Sequence, residues 1–374
     1  MKTIAPRDAQ YESTSPWQIY TLEDELQLKK EAVRDTFLVA EVWLPEFEIA
    51  TDGQDYFYRN KMEYALYWDN EESKIRLAVH KRRSYKKLPI ESSSIERPEI
   101  LKRALEVVDD LNARGEQARK YQALMLRCNQ KGEVAGGLFE NGKPHPVFPN
   151  LTDEILGREY SYSPNGFFQI NLPVYELALQ EIAKWVQGEN ILDLYAGVGT
   201  IGLSVARDKK LTLVEVNAAA VKEMRVNATE SESASRLVAN GLGEDSPLAY
   251  GNSPHTVLSK GEDTPASSHT VLTKSENIFP HVVLAKSEDA LDYIAGKDTV
   301  IVDPPRAGLH EDVVNELLKQ NTPRVIYLSC NPETQARDVK MLMNGGYKID
   351  HVKAFNFFPH TLHVENLVIL SREC

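Results

Sequence analysis

The chain has 374 residues, enough for two domains, and its 42% hydrophobic and 26% charged residues are typical of a globular protein. Its formal net charge of −12 excludes a protein that coats nucleic acid by bulk electrostatic attraction, but leaves room for a local basic cleft. Because no apolar run approaches the ~20 residues of a membrane helix and no cationic, apolar leader opens the chain, we expect a cytoplasmic protein without a membrane span.

The cysteines Cys128, Cys330 and Cys374 lie far apart in the sequence. Such an odd, scattered set can build neither a disulfide framework nor a Cys-x-x-Cys metal site. We therefore expect a reducing compartment and no metal site.

The first part of the chain predicts a small α+β domain. A leading surface helix is expected over residues 22–37, where apolar residues recur near helical spacing among charges. The other predicted elements are strands over 38–49, 55–67 and 77–80, a helix over 98–112, and a hairpin of 122–128 with 132–140. The run 141–150, rich in Gly, Pro and Asn, is the predicted seam, which divides the chain into domains 1–148 and 149–374.

A basic segment within this domain surrounds Tyr85 with Lys81, Arg82, Arg83, Lys86 and Lys87. Basic residues of this kind neutralise phosphates in nucleic-acid complexes, so Lys81, Arg82 and Arg83 are candidate RNA contacts. A solvated loop with counterions explains the same composition. The sequence leaves both interpretations open.

Beyond the seam, strands and helices alternate. A helix is predicted over 173–186, opened by Pro173 and ended by Gly188. Strands are predicted over 191–195, 211–216, 282–285, 299–302 and 325–328. This alternation predicts an α/β fold with a parallel sheet, helices on both faces, and ligands bound beyond the carboxyl ends of the strands.

One segment, at about 230–280, interrupts this order and is rich in Ser, Glu, Asn and Gly. It contains a repeat, in which residues 254–260 and 268–274 resemble residues 280–286 of a predicted strand. We interpret the first two copies as tandem duplications of the third within a mobile, low-complexity insertion, with an added hairpin as the alternative. A metal or RNA role for the His and Lys residues of the copies is disfavoured.

A glycine-rich turn follows the first strand of the second domain. The run from Asp193 to Gly202 satisfies G-x-G-x-x-G, and Glu215 ends the next strand. A nicotinamide dinucleotide would fit the glycines, but a carboxylate at Asp193 is unfavourable beside a pyrophosphate and favourable beside the ammonium group of S-adenosylmethionine. The pattern therefore favours S-adenosylmethionine, with Asp193, Gly197 and Gly199 at the donor site, over the cofactor of a nicotinamide-dependent dehydrogenase.

Two further motifs end predicted strands. Asp303 and two prolines precede Arg306, where an enzyme that methylates amines would carry an aromatic residue, so Arg306 is expected to be structural or to contact phosphate. Cys330 lies where a strand ends and a helix begins. The helix dipole is expected to lower the pKa of this thiol and make it a nucleophile, whereas a small buried core residue is the alternative.

These motifs resemble the RNA uracil-5 methyltransferases that act on tRNA and ribosomal RNA. The resemblance rests on FFQIN at 167–171, DLYAGVG at 193–199, DPPRAG at 303–308, SCNP at 329–332 and FPHTLHVE at 358–365, and extends to YRNKME at 58–63. It implies a class I, Rossmann-like methyltransferase domain after a smaller N-terminal α+β domain that recognises RNA. The implied S-adenosylmethionine contacts are Gln169, Tyr195, Glu215 and Asp303, with Cys330 as the nucleophile and Glu365 as the base.

The chain departs from some members of this family. Some relatives hold an iron–sulfur cluster through four N-terminal cysteines, but Cys128 is the only cysteine before Cys330, so we expect no cluster. Others carry a leading β-barrel module for RNA, for which the residues before Leu38 are too few. These departures concern the choice of RNA and not the reaction.

The resemblance implies a specific reaction on a flipped-out uridine. Cys330 adds to C6, C5 accepts the methyl group, and Glu365 then removes the C5 proton. Phe167 or Phe168 would stack on the uracil. His360 and His363 would orient the general base or neutralise the enolate oxygen, or be structural. We expect a monomer that forms 5-methyluridine in rRNA or tRNA. The alternatives are an NAD-dependent dehydrogenase and an RNA-binding protein with an inactive donor site.

Overall fold

The computed structural model describes residues 3–239 and 280–372. In chain order the helices are α1 (Tyr11–Thr14), α2 (Leu22–Val39), α3 (Pro98–Ala113), α4 (Leu172–Ala183), α5 (Thr200–Val205), α6 (Ala218–Ala239), α7 (Glu311–Gln320) and α8 (Pro332–Asn344). The strands are β1 (Ile49–Ala50), β2 (Lys61–Asp69), β3 (Lys74–His80), β4 (Lys87–Pro89), β5 (Ala123–Cys128), β6 (Val134–Glu140), β7 (Lys143–His145), β8 (Leu151–Ile155), β9 (Arg158–Tyr162), β10 (Asn190–Leu194), β11 (Lys210–Glu215), β12 (His281–Leu284), β13 (Thr299–Val302), β14 (Arg324–Ser329), β15 (Tyr347–Phe355) and β16 (Glu365–Arg372).

An antiparallel sheet with strand order β4-β3-β2-β5-β6-β7 forms most of the N-terminal domain. Helix α3 packs on it because Ile100, Ala104, Val108 and Leu111 recur at helical spacing and are buried in the same core as the strands. The helix predicted over 98–112 is confirmed as α3, and the hairpin predicted for 122–128 with 132–140 is confirmed as β5 and β6. The small β8–β9 hairpin, which the sequence pattern did not predict, connects the domain to α4.

The large sheet has the order β1-β15-β16-β14-β13-β10-β11-β12. Strands β12, β11, β10, β13 and β14 pair in parallel, as predicted, whereas β16 lies antiparallel between β14 and β15. Because successive side chains of a strand point to opposite faces, Ile191 packs in the core on one face and Leu192 in the core on the other. The sheet is therefore covered on both sides, and the carboxyl ends of its parallel strands form one edge.

The N-terminal segment departs from the predicted domain division. The strand predicted over 38–49 is wrong, because α2 continues to Val39 and only Ile49 and Ala50 are extended, in parallel pairing with β15. Val33 and Phe37 of α2 are buried in the core of the large sheet. Part of the predicted domain 1–148 thus packs with the second domain, because apolar side chains of α2 cover the sheet of that domain.

The predicted insertion lies mostly outside the described residues, which resume at residue 280. Its first residues, up to Ala239, extend helix α6, and its third repeat copy forms β12. The first two repeat copies and Cys374 lie outside the described part of the chain. Among the described residues, no helix is both long and apolar enough to span a bilayer.

Candidate active site

Cys330 lies in the short connection between β14 and α8, where its thiol is free and half-buried. Strand β14 is hydrophobic and buried, so it carries the cysteine to the carboxyl edge of the sheet. Asn331 then caps α8 by accepting from the backbone N–H of Glu333 at 3.2 Å, and its amide donates to the Arg306 carbonyl at 2.8 Å. The Asn331 side chain therefore joins the loops that follow β13 and β14.

The pKa of Cys330 is shifted in the direction opposite to the one predicted. Burial raises the pKa of the thiol to about 11, with further upward contributions from the charges of Glu365 and Asp303, while a hydrogen bond and the positive charge of Arg306 act in the opposite direction. The prediction of a lowered pKa from the helix dipole is therefore wrong. Desolvation and two neighbouring carboxylates outweigh the helix terminus.

Glu365 begins β16 and is almost fully buried. The antiparallel ladder pairs Asn366 with Ser329, so Glu365 lies beside Cys330 at the end of the neighbouring strand. Burial and the charge of Asp303 raise the pKa of Glu365 well above its usual range, and Arg306 opposes this shift. Burial also raises the pKa of Asp303, to about 7. The structure therefore brings together four residues that the sequence singled out: Asp303, Arg306, Cys330 and Glu365.

The glycine turn after β10 provides an open backbone surface. Gly197 has φ +58°, and a Cβ atom built on it would meet nothing within 4 Å. Its N–H donates to Glu215 Oε2 at 2.9 Å, which holds that carboxylate at the end of β11. At Gly199, with φ +88°, a Cβ atom would lie 2.8 Å from Leu203 Cδ1, so this glycine serves close packing. The turn has space for a ligand at Gly197 and not at Gly199.

Asp193 does not have the environment that the sequence predicted. Its side chain is fully buried, and Oδ2 accepts from the Gly202 N–H at 2.8 Å. Burial raises the pKa of the carboxyl to about 8, with a downward contribution from the Gly202 hydrogen bond and upward contributions from Asp303 and Glu215. Asp193 therefore supports the turn through Oδ2, while its Oδ1 has no hydrogen-bond partner among the described residues. Its contact with the ammonium of a methyl donor stays a prediction.

Tyr195 also lies apart from the open surface of the turn. It has φ +62°, and its hydroxyl bonds Ser287 and the backbone of His310. The ring lines a pocket of about 530 Å³ whose other walls include Pro305, Gly308 and Met341. If Tyr195 contacts a ligand in the glycine turn, it does so through its backbone.

The segment that carries Gln169 is hydrogen-bonded to residues of the N-terminal domain. The Asn60 amide donates to the Gln169 carbonyl at 3.1 Å, and Arg127 donates to the Phe168 carbonyl at 3.2 Å. The Phe168 ring stacks on Tyr162, with ring centroids 3.8 Å apart. Phe168 is thereby unavailable to a substrate base. Its neighbour Phe167 is 76% exposed, which leaves Phe167 as the aromatic side chain that could stack on one.

The two histidines of the 358–365 motif differ in their surroundings. His360 is buried against Tyr56, between Glu25 and Asp55, and is a structural residue. His363 is half-buried, and its pKa falls to about 4 through burial and the positive charges of Arg306, Lys29, Arg82 and Arg59. His363 is therefore a neutral imidazole at neutral pH.

The influence of Arg82 on His363 also locates the basic segment. Lys81, Arg82 and Arg83 are exposed in the turn between β3 and β4, where the Lys81 N–H donates to the Lys86 carbonyl at 2.8 Å. Arg82 contributes to lowering the pKa of His363, so this residue of the turn lies within electrostatic range of the 358–365 segment. Lys87 differs from its neighbours because its ammonium donates to the Leu66 carbonyl at 2.8 Å.

Several residues that shape this edge were not predicted from the sequence. Lys29 and Glu25, in a helix expected to lie at the surface, are buried beside the 356–360 loop. Gln335 and Asn366 form a buried amide pair behind Cys330. A lysine and a glutamate spaced i, i+4 are a common surface pattern, so no local signal distinguished the buried pair.

The mixed sheet with helices on both faces is a Rossmann-like α/β domain, which follows a smaller N-terminal α+β domain. The structure superposes with a TM-score of 0.66 and 23% identity on the tRNA (uracil-54, C5)-methyltransferase of Pyrococcus abyssi, in complex with S-adenosyl-L-homocysteine, covering 95% of this chain and 84% of that one. This likeness supports the predicted fold class.

The sequence comparisons confirm the predicted family resemblance. Residues 288–373 match the tRNA (Uracil-5-)-methyltransferase family, and residues 175–248 match the methyltransferase small domain. The tRNA (uracil(54)-C(5))-methyltransferase of Pyrococcus abyssi is 34% identical over 63% of this chain and 45% of its own length. An RNA methyltransferase of Enterococcus faecalis is 30% identical over 59% of this chain and 41% of its own length. The matched region thus spans less than half of these two relatives.

Proposed function

We propose that this protein methylates C5 of a uridine in RNA, with Cys330 as nucleophile and Glu365 as general base. The observation that carries the proposal is the adjacency of Cys330 and Glu365 at the end of the β14–β16 ladder, on the sheet edge that also carries the open glycine turn. A thiol and a carboxyl on opposite sides of one base are what addition at C6 and deprotonation at C5 require.

The residues present fit a methyl donor. Glu215 offers a carboxylate at the end of β11, the position from which an acidic side chain binds a ribose, and the turn at Gly197 leaves open space above its backbone. Gln169, Glu215, Gly197 and Asp303 would hold S-adenosylmethionine, which supplies a sulfonium methyl group when bound. A nicotinamide dinucleotide is disfavoured because the described residues, 3–239 and 280–372, offer no obvious acid–base pair for hydride transfer at the turn.

The reaction begins with a protonated thiol, since the pKa of Cys330 is about 11. We propose that the Asp303 carboxylate accepts this proton while the sulfur bonds to C6, with Arg306 stabilising the developing negative charge, and later returns it to the released thiolate. Glu365, in its carboxylate form, is then left to act on C5. The C5–C6 electron pair moves into an enolate, and C5 accepts the methyl group. Glu365 then takes the C5 proton, and the C6–sulfur bond breaks to release 5-methyluridine and the thiolate.

RNA is the proposed partner, and the N-terminal domain its recognition module. A base in a stacked helix cannot present C6 to a thiol, so the uridine must be flipped out of a loop, where Phe167 is free to stack on it. Lys81, Arg82 and Arg83 would contact the phosphates around this loop. Similarity to enzymes named for tRNA favours tRNA over ribosomal RNA as the substrate.

The experiment uses tRNA transcripts that contain 5-fluorouridine, together with S-adenosylmethionine. Because fluorine at C5 cannot leave as a proton, the wild-type protein should form an adduct that survives a denaturing gel, and Cys330→Ala should form none. Absence of the adduct in the wild type would contradict the proposal. If S-adenosylhomocysteine still binds by calorimetry, such a result would indicate an RNA-binding protein with an inactive site. Repeating the assay with 23S rRNA transcripts separates the two substrate classes.

A further inference from the structure

The loop between β15 and β16 is held through four consecutive carbonyls. The Phe357 carbonyl accepts from Asn171 at 3.2 Å, Phe358 from Lys29 at 3.0 Å, Pro359 from the Tyr58 hydroxyl at 3.0 Å and His360 from the Trp17 N–H at 2.9 Å. These donors come from four separate segments of the chain. Such a loop has little conformational freedom, even though it has no strand partner of its own.

Lys29 and Glu25 provide the charged part of this attachment. The Lys29 ammonium donates to Glu25 Oε1 at 2.7 Å, to Asn356 Oδ1 at 2.6 Å and to the Phe358 carbonyl at 3.0 Å, which uses all three of its protons. Glu25 Oε2 accepts from the His360 N–H at 2.9 Å. Both side chains are at most 1% exposed. Apart from each other, their hydrogen-bond partners all lie in the 356–360 loop.

Stability alone does not explain a buried ion pair. Removing two charges from water is unfavourable, and replacing such a pair with apolar residues of similar volume is often neutral or stabilising. What the pair provides here is directional: two hydrogen bonds donated by Lys29 and one accepted by Glu25 from the His360 N–H define the position of one loop. That loop continues through His363 into Glu365, the first residue of β16.

We infer that Lys29 and Glu25 are positioning residues of the candidate active site, forming a buried clasp that orients the loop ahead of His363 and Glu365. The inference rests on the proposed function. Its consequence is that α2 is part of the catalytic centre, although it precedes the RNA-recognition sheet in sequence. The clasp acts on deprotonation at C5 and not on the nucleophile, because Cys330 hydrogen-bonds Arg306, and the next residue, Asn331, is bound to the Arg306 carbonyl and not to the 356–360 loop.

The test separates adduct formation from product release in the full-length protein. Lys29→Met is compared with wild type and with Lys30→Met, a neighbouring lysine on the same helix that pairs with exposed Glu46. We expect Lys29→Met to form the adduct with 5-fluorouridine tRNA within about threefold of the wild-type rate. On unmodified tRNA it should form 5-methyluridine at least tenfold more slowly and accumulate the Cys330–RNA adduct during turnover. Lys30→Met should behave as wild type.

Two outcomes would overturn the inference. In the first, a folded Lys29→Met variant forms 5-methyluridine at the wild-type rate. In the second, the rates of adduct formation and of product release decrease by the same factor in this variant. Lys29→Met could fail to fold because it leaves Glu25 buried and unpaired. In that case the same two rates are measured for the Glu25→Gln/Lys29→Met double variant and for Asn356→Ser, and the same two outcomes would overturn the inference. Asn356→Ser leaves the ion pair intact and removes the contacts of the Asn356 amide with Lys29 and Glu25. A wild-type protein that forms no adduct at all would instead contradict the proposed function.

Discussion

Gln335 of α8 and Asn366 of β16 bond each other reciprocally in a fully buried position. Asn366 Nδ2 donates to Gln335 Oε1 at 2.7 Å, and Gln335 Nε2 donates to the Asn366 carbonyl at 3.0 Å and to the Tyr327 carbonyl at 2.9 Å. The two residues therefore join the strand before Cys330 to the strand that begins at Glu365. A glutamine behind the site thus sets the relative position of the proposed nucleophile and base.

Replacing Gln335 should affect both stability and turnover. Gln335→Leu leaves the Asn366 amide and two carbonyls unsatisfied in the interior, so we expect the free energy of unfolding to fall by about 1–3 kcal/mol. The rate of 5-methyluridine formation should fall further than the fraction folded explains, because the spacing of Cys330 and Glu365 changes. Denaturant titration and single-turnover assays measure the two effects. Gln27→Leu, at an exposed position of α2, should change neither.

The pKa of Cys330 predicts how its alkylation depends on pH. Since only the thiolate reacts and the pKa is about 11, the rate of carbamidomethylation at Cys330 should rise roughly tenfold per pH unit and show no plateau up to about pH 9.5. Mass spectrometry of the Cys330 peptide measures this rate. An ordinary thiol, with a pKa of about 8.5, would level off within that range, and a plateau would contradict our account.

The role of Arg306 can be tested by the same measurement. Its positive charge and hydrogen bond lower the pKa of Cys330, against the larger effect of burial. Arg306→Gln should therefore slow the alkylation of Cys330 at every pH below the plateau. An unchanged rate would show that the guanidinium does not act on the thiol.

Asp193 should make the wild-type fold less stable as pH rises. Its folded pKa of about 8 exceeds the ordinary value of 3.8, so the folded state binds a proton that the unfolded state releases between these values. The free energy of unfolding of Asp193→Asn should therefore increase relative to wild type by up to about 1.4 kcal/mol per pH unit from pH 5 to pH 8. Urea titrations across this range measure the difference, and a gap that is constant with pH would contradict the prediction.

The basic segment should determine the salt dependence of RNA binding. Replacing Lys81, Arg82 and Arg83 with Ala should weaken binding to tRNA and reduce the slope of log K against log salt by up to about 2, at roughly 0.7 per lost phosphate contact. Lys87 is left unchanged because its ammonium bonds the Leu66 carbonyl. A matched variant in which Lys102 and Arg103 of α3 and Arg114, which follows this helix, are replaced by Ala should retain the wild-type slope. Equal slopes in the two variants would show that Lys81, Arg82 and Arg83 contact no phosphate.

The sequence by itself determined the elements with strong local patterns. Strand 299–302 was predicted with its observed bounds, and the strand before Cys330 to within one residue at each end, because each is a short apolar run that ends at a polar motif. The motifs at Gly197, Asp303 and Cys330 were placed at strand ends for the same reason. Since the carboxyl ends of parallel strands share one edge, the local patterns were enough to place these three motifs on the same edge of the sheet.

Only the tertiary structure decided the electrostatics and the long-range contacts. Whether a carboxylate is exposed, as Glu215 partly is, or fully buried, as Asp193 is, depends on residues distant in sequence. The same holds for Cys330, whose pKa follows from burial and from the charges of Glu365 and Asp303. The i, i+4 pair of Glu25 and Lys29 has an ordinary surface pattern, and only the folding of a loop more than 300 residues away onto it makes it a buried pair.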